Sequence, residues 1–138
     1  MKAYTDIEQS MKLAEILPIE RADMYWFVPA DKEGEFIEEI KIISNKSEYY
    51  LFEGITDWND TPYIPAWSLA ALLDAIPQEI FNGEYVINIT EGHINKWVLT
   101  YDHCVNRNHS NYGLSSCADN LIDACVEMIV KLHKQNLL

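Results

Sequence analysis

The sequence predicts an α+β domain: an antiparallel sheet of four to five strands with three helices packed mainly on one face. Three observations carry this. Residues 84–102 hold two runs in which apolar and polar side chains alternate with a period of two, as half-buried strands require. The last segment, NLIDACVEMIVKLHKQNLL, repeats apolar residues at helical spacing. The 138 residues fit one domain, 1–138, large enough to bury a core without metal or disulfide.

The elements follow in order. Thr5-x-x-Glu8 reads as a capping box, and Ile7, Met11, Leu13, Ala14 and Leu17 recur behind it, so a helix is expected over 6–16, stopped by Pro18. MYWFV (24–28) is a short aromatic and β-branched run closed by Pro29, expected as a strand. EFIEEIKII (35–43) is β-rich, with Phe36, Ile40 and Ile42 sharing one parity. EYYLFEG (48–54) follows across the polar SNKS, which predicts a hairpin. ITDWNDTP is a loop by composition.

In IPAWSLAALLDAIP, Ser68 fits the N-cap of a helix over 69–76. Trp67 and Leu72 then occupy the two positions of a hydrophobic staple, and Ile64-Pro65 is an extended lead-in. Leu69, Leu72, Leu73 and Ile76 are expected to face the core and Asp74 the water, with Pro77 ending the helix. A nucleophilic serine on a strained turn would need flanking glycines, and Ala66 and Ala70 stand there instead.

EYVINIT (84–90) and KWVLTYD (96–102), joined by the turn EGHIN, are expected to pair antiparallel. NRNHSNYGLSS reads as a polar loop. The closing helix, 120–135, has Asn120-x-x-Asp123 as its cap and Leu121, Cys125, Met128 or Ile129, and Leu132 as its apolar stripe. Lys131, His133 and Lys134 sit where the helix dipole favours cations.

Charge narrows the function. The chain carries a net −12; residues 1–69 hold 14 acids and 6 bases, residues 70–138 hold 8 and 4. A protein that grips phosphates needs the opposite sign, so direct nucleic-acid binding is not expected. No apolar run approaches the ~18 residues of a membrane span, and the opening MKAYTDIEQS has no apolar stretch of a secretory signal. No membrane association and a cytoplasmic location are therefore expected. The three cysteines, Cys104, Cys117 and Cys125, are then reduced thiols, and the four N-x-S/T sequons are chance.

IPAWSLAALLDAIP, the following hairpin and LIDACVEMIVKLH, together with SMKLAEILPIE near the start, resemble small uncharacterised hypothetical proteins of Bacteroides-type gut bacteria and their phages or integrated elements. The resemblance covers roughly residues 62–138 plus that opening. It implies an association with mobile elements and carries no activity and no catalytic residue.

The residues themselves supply no catalytic constellation. His103, Cys104, His109, Cys117 and Cys125 lack the close C-x₂₋₄-C spacing that brings zinc ligands together, and no cofactor or metal is expected. Adjacent acids such as Glu38-Glu39 point to opposite faces of a strand, and five glycines leave little for a phosphate loop. The remaining feature is the loop TDWNDTPYIPAW. Its Asp57, Trp58, Asp60, Tyr63 and Trp67 combine aromatics with flanking acids, which suits a protein partner (a basic protein included), a sugar or a cationic ligand; the structural alternative is that Trp58 and Trp67 fold over the sheet edge as satellite core. The expected function is that of a non-enzymatic, acidic accessory or protein-binding protein of a phage or mobile element. Two alternatives remain open: a small hydrolase or metal-binding protein using the His103–Cys125 region, and an inhibitor or immunity-type protein that imitates a polyanion. The oligomeric state is not legible.

Overall fold

A computed structural model describes residues 2–29, 33–92, 96–104 and 111–138, with side chains from 113 onward in the last stretch. The class is α+β. Among the described residues the strands form two antiparallel sheets, of three and four strands, where the sequence predicts one sheet of four to five. The chain divides into two compact units, Tyr4–Ala71 and Leu72–Leu138 with Met1–Ala3.

In the unit Tyr4–Ala71, helix α1 spans Ile7–Ala14. Its cap is one residue later than the sequence reading: Asp6 accepts from the Gln9 amide, and the Gln9 side chain takes the Asp6 amide. Thr5 is wholly buried instead; its hydroxyl lies 2.7 Å from that of Ser10 and accepts from the Trp67 amide at 3.1 Å. An interior tertiary bond has claimed the oxygen that a cap would use.

Strand β1 (Met24–Phe27) is the middle of the sheet β2-β1-β3, with β2 at Glu39–Ile42 and β3 at Tyr63–Ala66. β2 is shorter than the predicted 35–43. β3 is the Ile64-Pro65 lead-in, drawn into the ladder by pairing Tyr63 with Phe27 and Ile64 with Trp26. The hairpin expected between 35–43 and 48–54 does not form. Lys46–Phe52 is a 3₁₀ helix, and β2 pairs with β1. Local bonds turn the chain there: Asn45 accepts from the Ser47 amide at 3.0 Å, and Glu48 from the Ser44 amide at 2.7 Å. Phe52 at the end of this turn is buried, with its ring against Tyr25, Tyr49 and Trp58.

Helix α2 spans Leu69–Ala75, and the division between the units falls inside it. Ser68 caps it, accepting from the Ala71 amide at 3.3 Å while Asp23 receives the Ser68 amide and hydroxyl. Leu72 and Ile76 are buried as expected, whereas Leu73 is exposed beside Asp74, because a helix this short turns only one narrow stripe inward.

In the unit Leu72–Leu138, the strands are β4 (Glu79–Ile80), β5 (Tyr85–Glu91), β6 (Trp97–His103) and β7 (Asn111–Ala118), paired in that order. The β5–β6 hairpin is the predicted one, in the register Ile89 to Leu99 and Ile87 to Tyr101; residues 93–95 of its turn lie outside the described residues. The polar loop expected over 106–116 is a strand from Asn111 onward. Its Ser and Gly residues mask a period of two in which Leu114 and Ser116 point inward. Helix α3 (Leu121–Lys134) packs on β6 and β7, and Asn120 caps it by accepting from the Asp123 amide at 2.8 Å. Ile122, not Leu121, begins the stripe that continues through Cys125, Met128, Ile129 and Leu132. Ser116 ties helix to strand by donating to the Ala124 carbonyl at 2.8 Å.

Candidate functional site: an aromatic groove with an acidic rim

The five residues singled out in the loop go to three environments. Asp57 is exposed and folds the loop on itself: its carboxylate accepts from the amide and side chain of Asn59 and caps the 3₁₀ turn Trp58–Asp60. Trp58 is half-buried, edge-on to Phe52 at 6.2 Å. Tyr63 stacks on Phe27 across the β1–β3 ladder, with centroids 5.2 Å apart and planes at 18°. Asp60 is exposed. Trp67 is 0% exposed, so it is a core residue and cannot anchor a partner. It sits at the end of a buried strand, with its amide held by Thr5.

The structure joins this loop to a residue the sequence reading placed differently. A groove of about 480 Å³ is lined by Phe27, Pro29 and Phe36 together with Asp60, Thr61 and Pro62. Phe36 is expected, by its parity with Ile40 and Ile42, to lie on a packed face. It is 73% exposed and Ile42, of the same parity, 72%: the face they share is sealed at β3, where Ile64 is buried, and open at β2. A large aromatic inside an acid-rich run is the signal that could have marked it as a surface group.

The groove's lining combines apolar and aromatic side chains with one carboxylate, that of Asp60. Phe27 and Tyr63 keep their rings in place by stacking on each other. Lys41, on β2, holds its ammonium 6.0 Å from the Phe27 ring centroid, so this aromatic face already accommodates a cation. Asp60, exposed, supplies that carboxylate.

The His103–Cys125 region is dispersed. His103 stands 3.6 Å from a Glu84 oxygen and meets the Tyr85 ring edge-on. Cys104 and Cys117 are exposed and Cys125 is buried. Ser116 faces α3, so its neighbour Cys117 faces away from the helix that holds Cys125. Burial pushes the Cys125 thiol up to about 12, which keeps it protonated and unreactive. His109 lies outside the described residues, and among those described no three His, Cys, Asp or Glu side chains gather as metal ligands would. No helix among the described residues is long and apolar enough to cross a membrane.

No family model matches the chain, and no curated protein and no solved structure matches it either, so the resemblance to proteins of Bacteroides-type bacteria and their phages gains nothing from these comparisons.

Proposed function

We propose that the protein is a non-enzymatic binding protein that holds a basic protein partner at the groove between Phe36 and the Asp60–Pro62 turn. Cytoplasmic action as an accessory of a phage or mobile element is part of the same proposal and rests on the sequence reading alone. One observation supports the binding reading most: an exposed phenylalanine from the acidic segment and an exposed aspartate from the aromatic loop line the same groove, although 24 positions separate them. Exposed ion pairs contribute only ~0–1 kcal/mol each, so the acids raise the association rate and Phe36 supplies the anchor. A polyanion mimic differs only in its target. Among the described residues, no convergence of thiols and imidazole supports the hydrolase or metal reading.

The test uses two peptides of equal length, one alternating lysine with leucine and one alternating glutamate with leucine, titrated against the full chain by amide shifts. The lysine peptide should bind and move the signals of Phe27, Phe36 and Asp60, and the glutamate peptide should not. Phe36→Ser should weaken binding by about tenfold or more, and Asp60→Asn should flatten its salt dependence. Equal binding of both peptides, or shifts confined to other residues, would remove the groove from consideration.

A further inference from the structure

The two outer strands of the three-stranded sheet are finished differently. On β3, Pro65 has no N–H to offer, and the bridge from Tyr4 to Ser68 lies just beyond the strand end. On β2 there is no proline, and among the described residues no strand pairs with its outer side. Which groups point outward follows from the ladder. The Ile43 amide bonds to the Asp23 carbonyl and the Ile37 amide to the Pro29 carbonyl, both at 3.0 Å. Bonding residues alternate along an antiparallel strand, so Ile37, Glu39, Lys41 and Ile43 turn their backbone groups toward β1. Ile40 and Ile42 turn theirs outward. The side chains beside this edge are unusually apolar: Ile42 is 72% exposed and Ile37 46%. An open edge with apolar flanks is a template for strand addition, which folded proteins otherwise block.

The sequence of β2, Glu-Ile-Lys-Ile, says what fits there. We propose that the outer edge of β2 is a self-association site, at which a second copy of this chain adds its own β2 antiparallel about a two-fold axis through Ile40. In that register Ile40 faces Ile40 of the second copy as a hydrogen-bonded pair, which uses the backbone groups already turned outward. Glu39 then lies directly opposite the second copy's lysine, and Lys41 opposite its glutamate. Shifting the register by two residues in one direction sets lysine against lysine, and in the other glutamate against glutamate. Opposite charges facing across strands stabilise the pair and like charges oppose it, so the charges select the Ile40-centred register. Glu39 and Lys41 pair with each other at 3.7 Å along the same strand, both close to half exposed, and the Lys41 ammonium also lies over the Phe27 ring. Ile42 continues the face of Met24, Trp26, Ile64 and Ala66, and Ile64 and Ala66 are buried. In the Ile40-centred register Ile42 lies opposite Glu38 of the second copy, and Ile37 lies opposite its Ile43.

Each copy carries a net −12, so long-range repulsion opposes association, while the facing glutamate and lysine act only at contact range. Salt screens the first more than the second. Self-association is therefore weak, concentration-dependent and strengthened by salt, the opposite salt response to that of the basic peptide at the groove. The proposal does not depend on the groove reading.

Sedimentation equilibrium of the full chain over a concentration series, at low and at high salt, tests it. Lys41→Glu alone and Glu39→Lys alone each spoil both symmetry-related pairs and should weaken dimerisation by about tenfold. The double variant Glu39→Lys/Lys41→Glu restores opposite charges and should return to within about threefold of the parent. A parent that stays monomeric at millimolar concentration in high salt would overturn the proposal. So would a double variant as impaired as the single ones, because that result marks loss of the strand and not of the pairing.

Discussion

The two sheets of this protein treat apolar side chains in opposite ways. In the four-stranded sheet β4-β5-β6-β7, Leu99, Tyr101 and Leu114 point toward the side that α3 covers and are buried to within 2%, and Ile122, Met128, Ile129 and Leu132 of the helix are equally sealed. In the three-stranded sheet β2-β1-β3, burial grades across the strands: Ile64 and Ala66 on β3 are closed off, whereas Ile42 on β2 and Phe36 before it stand in solvent. The difference teaches that the same residue types serve as core where a long helix covers the sheet and remain as open surface where nothing does. Partner binding at the groove and self-association at the β2 edge, as proposed, both rest on these apolar groups held at the surface of an acidic chain.

The largest effect that would break this comparison lies in substitutions of one size class at a sealed and at an open site. Leu132→Ala, which empties a wholly buried site on α3, should cost ~2–5 kcal/mol, whereas Ile42→Ser, at a site 72% exposed, should change the stability of the dilute protein by less than ~0.5 kcal/mol. Denaturant melts of both variants decide it, and comparable losses at the two sites would erase the distinction between them.

A smaller effect sharpens the picture of the sealed side. Burial raises the Cys125 thiol from 9.0 to about 12, and it raises the Tyr101 hydroxyl too, which donates to the Pro77 carbonyl. Both groups hold their protons more tightly folded than unfolded, so their contribution is complete below pH 9 and is lost as pH rises toward 12. Stability should therefore fall across that interval, and Cys125→Ala should flatten part of the fall. A parent and a variant with identical alkaline profiles would place Cys125 outside the closed core.

Much of the four-stranded sheet was legible in the sequence, because period-2 alternation over 84–102 and helical spacing over 120–135 both report burial against a single partner. β7 was not legible: glycine, serine and cysteine occupy positions where a strand usually shows large β-branched residues. The three-stranded sheet was harder for a different reason. Asn45 and Glu48 turn 46–52 into a 3₁₀ helix through side-chain bonds that no hydrophobic pattern records, so the predicted hairpin partner of β2 was wrong. Of the five loop candidates, Asp57 and Asp60 are exposed and Trp58 and Tyr63 half-buried, while Trp67 is core, a difference hidden in the sequence because the same residue type serves anchors and cores. Phe36 was misplaced because parity assigns residues to a face of the sheet and does not say how far across that face the cover extends.

Amide hydrogen exchange at β2, followed at low and at high protein concentration, asks most directly whether the exposed edge is a docking strand. Lys41, whose amide bonds to β1, should be protected at both concentrations. Ile40 and Ile42 should exchange nearly freely in dilute solution and slow markedly in concentrated solution at high salt, as their outward amides find a second copy. Exchange at Ile40 and Ile42 that is independent of concentration, whether fast or slow, would contradict the assignment of the β2 edge as the place where this protein meets another molecule.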